Sequence, residues 1–248
     1  MSITAEDIVI YASQNMPTDD SSLTGGDIDS NVRVVFTDID ATGTITAQSD
    51  NNADSGTLTV TGRNRYGSIL SESFSISGTV AVSGSEVFER ILIASIDSSP
   101  VGEVALSQTQ DSSDIANIYS GETGFRRPFY DATANLVGGA NKTLYEKVFV
   151  KNNSSTNALL SAGVVEVSSG LYSIVDFGLE RSQQYTESIA NRLTLPTGVP
   201  SYGSGLSGVP GSDINPSSYQ GIWLKLDLVA GEAAANSFYE IQVQGGTT

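Results

Sequence analysis

The sequence contains no histidine and no cysteine. The first absence removes the usual general base near neutral pH, the second removes the thiolate nucleophile and any disulfide, and together they remove the nitrogen and sulfur ligands of zinc. Basic residues are scarce too: 12 Lys and Arg stand against 28 Asp and Glu, a formal charge of −16. Such a surface repels a polyanion, so no nucleic-acid partner is expected. No apolar run approaches the roughly 20 residues that span a bilayer as a helix. The first residues, Met1 to Asp7, turn acidic with neither a basic n-region nor an apolar h-region. Neither a membrane partner nor Sec export is therefore expected, and a mature protein outside the cell would arrive there by lysis or inside an assembly.

What the 248 residues do hold is glycine, 25 of them, with much Ser and Thr, only 16% charged residues and 39% hydrophobic ones. That balance reads as turn-rich β structure. Ile8 to Tyr11 and Val32 to Phe36 are short β-rich runs, separated by the turn-rich stretch from Pro17 to Gly26. In Gly56 to Gly62, Leu58 and Val60 fall on one face and three Thr on the other. Leu70, Phe74 and Ile76 then alternate with Ser, with Glu72 interrupting the apolar face, and Arg63 to Gly67 is short enough to close a hairpin. Further short strands are expected around Val80 and Val82, from Val87 to Ile96, and at Val104 and Leu106. After a break in the rhythm they resume at Leu144 to Val150, Ala162 to Val167, Tyr172 to Leu179, Ile222 to Leu228 and Phe238 to Val243. Ile222, Leu224, Leu226 and Leu228 should line a core, with Trp223, Lys225 and Asp227 on the other face. Ser182 to Arg192 has a weak helical spacing, and the proline- and glycine-rich stretch from Pro196 to Pro216 reads as a long surface loop. The expected fold is all-β: two Ig-like or jelly-roll-type β-sandwich domains, residues 1–108 and 142–248, joined by an irregular connector at 109–141.

Candidate chemistry is sparse. Asp19, Asp20, Asp27, Asp29, Asp38, Asp40, Asp50 and Asp54 crowd the N-terminal third, and oxygen-rich loops can hold calcium. The run after Asp50 lacks the central Gly and the Glu at position twelve of an EF-hand, so solvated turns are the favoured reading and no metal site is assigned. No selected carboxylate pair, no Gly-x-Ser-x-Gly elbow with a histidine and no phosphate loop exists, so neither an enzyme nor a cofactor is expected. Phe125, Arg126, Arg127, Phe129 and Tyr130 form the most informative cluster, because arginine and aromatic residues are enriched at the centres of protein interfaces. They are the expected interface residues; the alternative is that both arginines neutralise acids of their own subunit.

Several segments bear a resemblance: Ile8 to Asp20 followed by Gly25-Gly26, Leu58 to Arg63, Gly84 to Ile91, Gly124 to Tyr130, Tyr145 to Asn152 and Gly221 to Leu226. They resemble segments of structural proteins from tailed bacteriophage particles, and the likeness spans most of the chain. It implies a non-enzymatic virion component: capsid decoration or cement, or a part of the head-to-tail junction. The implied partners are major capsid, neck or tail proteins, together with further copies of the chain. The alternative is a tail-associated adsorption module in which Trp223, Tyr202 or Tyr219 stacks on host carbohydrate.

Overall fold

A computed structural model describes residues 2–14, 26–34, 36–130, 139–169, 175–231 and 239–247. Asp19, Asp20, Tyr172 and Phe238, which figure in the expectations above, lie outside the described residues. The fold is nearly all β; apart from a single 3-10 turn at Ala5–Asp7, no helix occurs among the described residues. In chain order the first strands are β1 (Ile8–Ser13), β2 (Ile28–Arg33), β3 (Ile45–Ser49), β4 (Ser55–Arg63), β5 (Ile69–Ser77), β6 (Val82–Ser83), β7 (Arg90–Ile96) and β8 (Val104–Gln108). They continue with β9 (Asp114–Ile118), β10 (Gly124–Arg126), β11 (Lys142–Asn152), β12 (Leu160–Ser169), β13 (Val175–Leu179), β14 (Ser207–Gly208), β15 (Tyr219–Leu228) and β16 (Tyr239–Gly246). Two compact units result: residues 30–130, and residues 1–29 together with 131–248. We call the first the inserted unit and the second the discontinuous unit.

The inserted unit is a β-sandwich. One of its sheets runs β2-β10-β7-β4-β5 and the other β6-β3-β8-β9. The alternation in β4 explains the pairing: Leu58 and Val60 turn inward, and across the hairpin Leu58 meets Phe74 while Gly62 meets Leu70. Ile45 and Ala47 of β3, Val104 and Leu106 of β8, and Ile115 and Ile118 of β9 close the core from the other sheet. Each fully buried Ile, Val, Leu or Phe side chain among them contributes about 1.5–3 kcal/mol. Glu72, the interruption on the apolar face of β5, is explained by its acceptors' work: its Oε1 receives the backbone N–H of Ser85 at 2.6 Å and of Glu86 at 3.3 Å, and the Ser85 hydroxyl at 3.1 Å.

The expected connector 109–141 is partly strand. Two ladder strands, β9 and β10, fall within it; β10 pairs in parallel with β2 and antiparallel with β7, and puts Phe125 in the core. Three residues are too few for alternation to register in the sequence. The unit boundaries likewise follow pairings that are remote in sequence, since β1 is antiparallel to β11, with Ile8 opposite Asn152.

The discontinuous unit contains the sheet β13-β15-β11-β1 and a three-stranded sheet β14-β12-β16. Its central ladder is β11 with β15, in register from Lys142 opposite Leu228 to Lys151 opposite Tyr219. Both faces of this ladder are covered: Ile222, Trp223 and Leu224 are all buried, as are Leu144 through Val150. The expected outward face of β15 is therefore inside at Trp223. The cover comes from the irregular segment that follows β13, through Ile189, Val199 and Tyr202 packed on Tyr145 and Trp223. No helix forms over Ser182–Arg192; Ile189 packs inward from an extended backbone instead. The proline- and glycine-rich stretch is likewise in part a covering element, with Pro196 and Gly198 buried.

Candidate functional site

A loop that covers a sheet has no ladder of its own, so its carbonyls need other donors. Lys147 supplies them. Its side chain leaves β11 on the face shared with Trp223, which is its register partner. The fully buried ammonium donates to the carbonyls of Gly26 at 3.0 Å, Tyr185 at 3.1 Å and Glu187 at 3.2 Å, and it pairs with Glu180 Oε1 at 2.7 Å. The same carboxylate oxygen accepts the indole N–H of Trp223 at 3.1 Å. Rings complete the cage, since Lys147 Nζ lies 4.7 Å from the Phe149 centroid and 5.5 Å from that of Trp223. On the neighbouring residue of β11, buried Glu146 pairs with buried Arg192 at 3.1 Å, while the backbone N–H of Tyr145 bonds the Arg192 carbonyl.

Burial pushes the Glu180 carboxyl up to about 7, against the opposing pull of Lys147. Burial also draws the Lys147 ammonium below its ordinary value, with Glu180 opposing. Four oxygen acceptors around one nitrogen are the surroundings of a charged ammonium, not of a free amine nucleophile. The arrangement pins residues 26, 185 and 187 to the sheet and is closed to any substrate. Each charge by itself reads as a solvated strand residue, which conceals the arrangement; the usable signal is that Glu146 and Lys147 are adjacent in an otherwise apolar run, so that one charge falls on each face of the strand.

The expected interface residues lie at the end of the inserted unit's chain. Phe125 is 1% exposed, with its ring 4.6 Å from Phe36. Arg126 is 8% exposed and its guanidinium carbon lies 5.7 Å from the Tyr130 ring. Arg127 forms an ion pair with Asp38, donates through Nε to the Ile91 carbonyl at 2.5 Å and stacks 4.9 Å from the Phe36 ring. Phe129 and Tyr130 are half-buried. Within the cluster, then, Phe125, Arg126 and Arg127 are engaged by the fold of their own unit, and the two aromatic residues that follow keep accessible surface.

The acidic candidates are mostly turned toward N–H donors. Asp54 receives Ser49 Oγ at 2.7 Å, Val101 N at 2.6 Å and Gly102 N at 3.2 Å; burial raises its carboxyl, and these bonds more than offset it, holding it below the usual range. Asp38 accepts the Ile91 amide at 3.0 Å, and Asp40 accepts the Gln108 side chain. Among the described residues no group of three or more carboxylates is arranged to hold a metal ion.

Of the aromatic residues considered for sugar stacking, Trp223 is fully buried, Tyr202 packs on Tyr145 at 5.8 Å and Tyr219 meets Phe149 edge-on at 5.3 Å. An open depression of about 510 Å³ lies in the discontinuous unit, lined by Arg181, Gln183, Gln184, Asn215 and Ser218 among others. Its amides face the wall: Gln183 donates to the Pro210 carbonyl at 2.8 Å and Gln184 to Ser218 Oγ at 3.1 Å. No known protein family, no curated protein and no solved structure matches this chain.

Proposed function

We propose that the protein is a non-enzymatic structural subunit of a bacteriophage particle, placed on the outer capsid or at the head-to-tail junction. The observation that carries this reading is the use made of the buried charges. Lys147, Glu180, Glu146 and Arg192 are sealed and paired, and they fasten a long irregular segment to a sheet. Groups so placed rigidify a subunit and offer no chemistry to a ligand. The segmental resemblance to tailed-phage structural proteins supports the address, with major capsid, neck or tail proteins as partners. Mass spectrometry of purified particles tests it. Hundreds of copies per particle, as for a capsid protein, place it on the capsid; about a dozen place it in the neck; absence from the particle rejects the reading.

A further inference from the structure

The inserted unit is electrically two-ended. At the hairpin end, Arg63 of β4 stands directly opposite Arg90 of β7 and, on its other side, opposite Ile69 of β5, so the three share one face. Arg65 lies at the turn with its guanidinium 4.7 Å from the ring of Tyr66, which is 75% exposed; Ile69 is 61% exposed. Arg63 donates only to the Gly67 carbonyl, at 2.8 Å. Among the described residues none of the three arginines forms an ion pair, although Glu89 borders them and the chain carries 28 carboxylates. Arg65 donates to the Tyr66 hydroxyl, so Arg63 and Arg65 lack ion pairs and not hydrogen bonds, and the three guanidinium groups around an exposed tyrosine and isoleucine have the composition of an interface centre.

At the opposite end of the same strands the sign reverses. Asp97 follows β7, while Asp50 and Glu103 flank β3 and β8 where Ser49 pairs with Val104. Asp97 accepts only the Thr57 amide, at 2.9 Å, and Asp50 the Glu103 amide at 2.7 Å; no cation pairs with any of the three among the described residues. Burial first, then the neighbouring Asp50 and Asp114, push the Glu103 carboxyl up, against the pull of Arg33. Along the nine residues of β4 the two ends stand roughly 25–30 Å apart.

We propose that the arginine hairpin end docks on the Asp50, Asp97 and Glu103 end of a second copy of this chain, in a head-to-tail contact. Like ends repel and unlike ends attract, so a symmetric pairing of identical surfaces is disfavoured. A contact that uses two different surfaces leaves one free at each end and propagates into a ring or a row. This inference goes beyond the particle assignment and is tested on purified protein, so its failure leaves that assignment to the particle mass spectrometry.

Sedimentation velocity over a concentration series, at about 20 mM and about 500 mM NaCl, supplies the test. The wild type is expected to associate at low salt, with the apparent association constant falling about tenfold or more at high salt. Arg65→Glu/Arg90→Glu, which breaks no ion pair, should abolish association. Asp50→Lys/Asp97→Lys should also abolish it, even though it brings the net charge closer to zero, the opposite of what non-specific repulsion predicts. An equimolar mixture of the two variants should associate again, because the acidic end of the first meets the intact basic end of the second and the reversed Glu and Lys ends attract one another as well. Circular dichroism verifies that each variant is folded, and Arg65→Gln/Arg90→Gln replaces the reversal if it is not. Monomeric wild type at low salt, variants that associate like wild type, or a mixture that stays monomeric each overturn the proposal.

Discussion

Lys147 joins four oxygens from distant parts of the chain, so its removal exposes several weaknesses at once. With Lys147→Met, Glu180 is left buried and facing only Trp223, and three carbonyls lose their donor. Urea denaturation should show a loss of about 3–5 kcal/mol. The double variant Lys147→Met/Glu180→Met should recover part of this but not all, because the carbonyls of Gly26, Tyr185 and Glu187 stay unsatisfied. The pH dependence has a definite sign. Glu180 titrates near 7 in the fold against an ordinary 4.5, so between those values the folded protein holds a proton that the unfolded chain has released. Its contribution to stability is therefore full below about 4.5 and is lost as pH rises through about 7. Glu180→Gln, always neutral, should lack that loss: the stability of wild type relative to the variant should fall by roughly 2 kcal/mol between pH 5 and pH 8 in paired denaturation curves.

Among the strands, β10 is the shortest of those that carry core residues, and it depends on close approach. A Cβ at Gly124 would sit 2.1 Å from the Ala94 carbonyl oxygen of β7, a backbone atom that has no side-chain freedom to yield. Gly124→Ala should cost about 2–4 kcal/mol and lower the melting temperature of the isolated protein accordingly. Arg127→Ala should also lower it, at a cost of about 1–3 kcal/mol in stability, through loss of the Asp38 pair and the Ile91 hydrogen bond. An unchanged melting temperature in that variant would instead assign Arg127 to a contact outside its own subunit. The sequence showed the β4–β5 hairpin and β11 plainly, because there a long apolar alternation or run coincides with a core. It did not show β3, whose Ile45-Thr-Ala-Gln-Ser is modest in apolar content, nor β9 and β10, which are only a few residues long. The covering role of the segment after β13 was equally hidden: Tyr185 and Ile189 suggest a helix by spacing, and the need for a cover arises only because the Trp223 face of β15 would otherwise meet water. The buried ion pairs were invisible for the same reason, since a strand lysine is solvated until something non-local lies over it.

The whole molecule carries far more negative than positive charge, and the ion pairs described above neutralise only a fraction of it. Self-repulsion should therefore weaken the fold at low ionic strength, and calorimetry should show a melting temperature that climbs as NaCl is raised from about 10 to about 150 mM, where the screening length falls from roughly 30 to roughly 8 Å. The discontinuous unit has a further consequence, in time rather than in space. On the ribosome β1 is made early, yet its partner β11 begins at Lys142, and the loop that Lys147 fastens comes later still. The inserted unit, by contrast, has all of residues 30–130 available before β11 is synthesised. It can reach its native core during translation, while β1 waits with an unmatched edge for more than a hundred residues. Nascent-chain arrest near residue 165 should accordingly yield a protease-resistant fragment from the inserted unit alone. Protection of β1 should require synthesis well past β11 and past the segment that Lys147 fastens, which makes completion of the discontinuous unit the slow and aggregation-exposed stage of biogenesis.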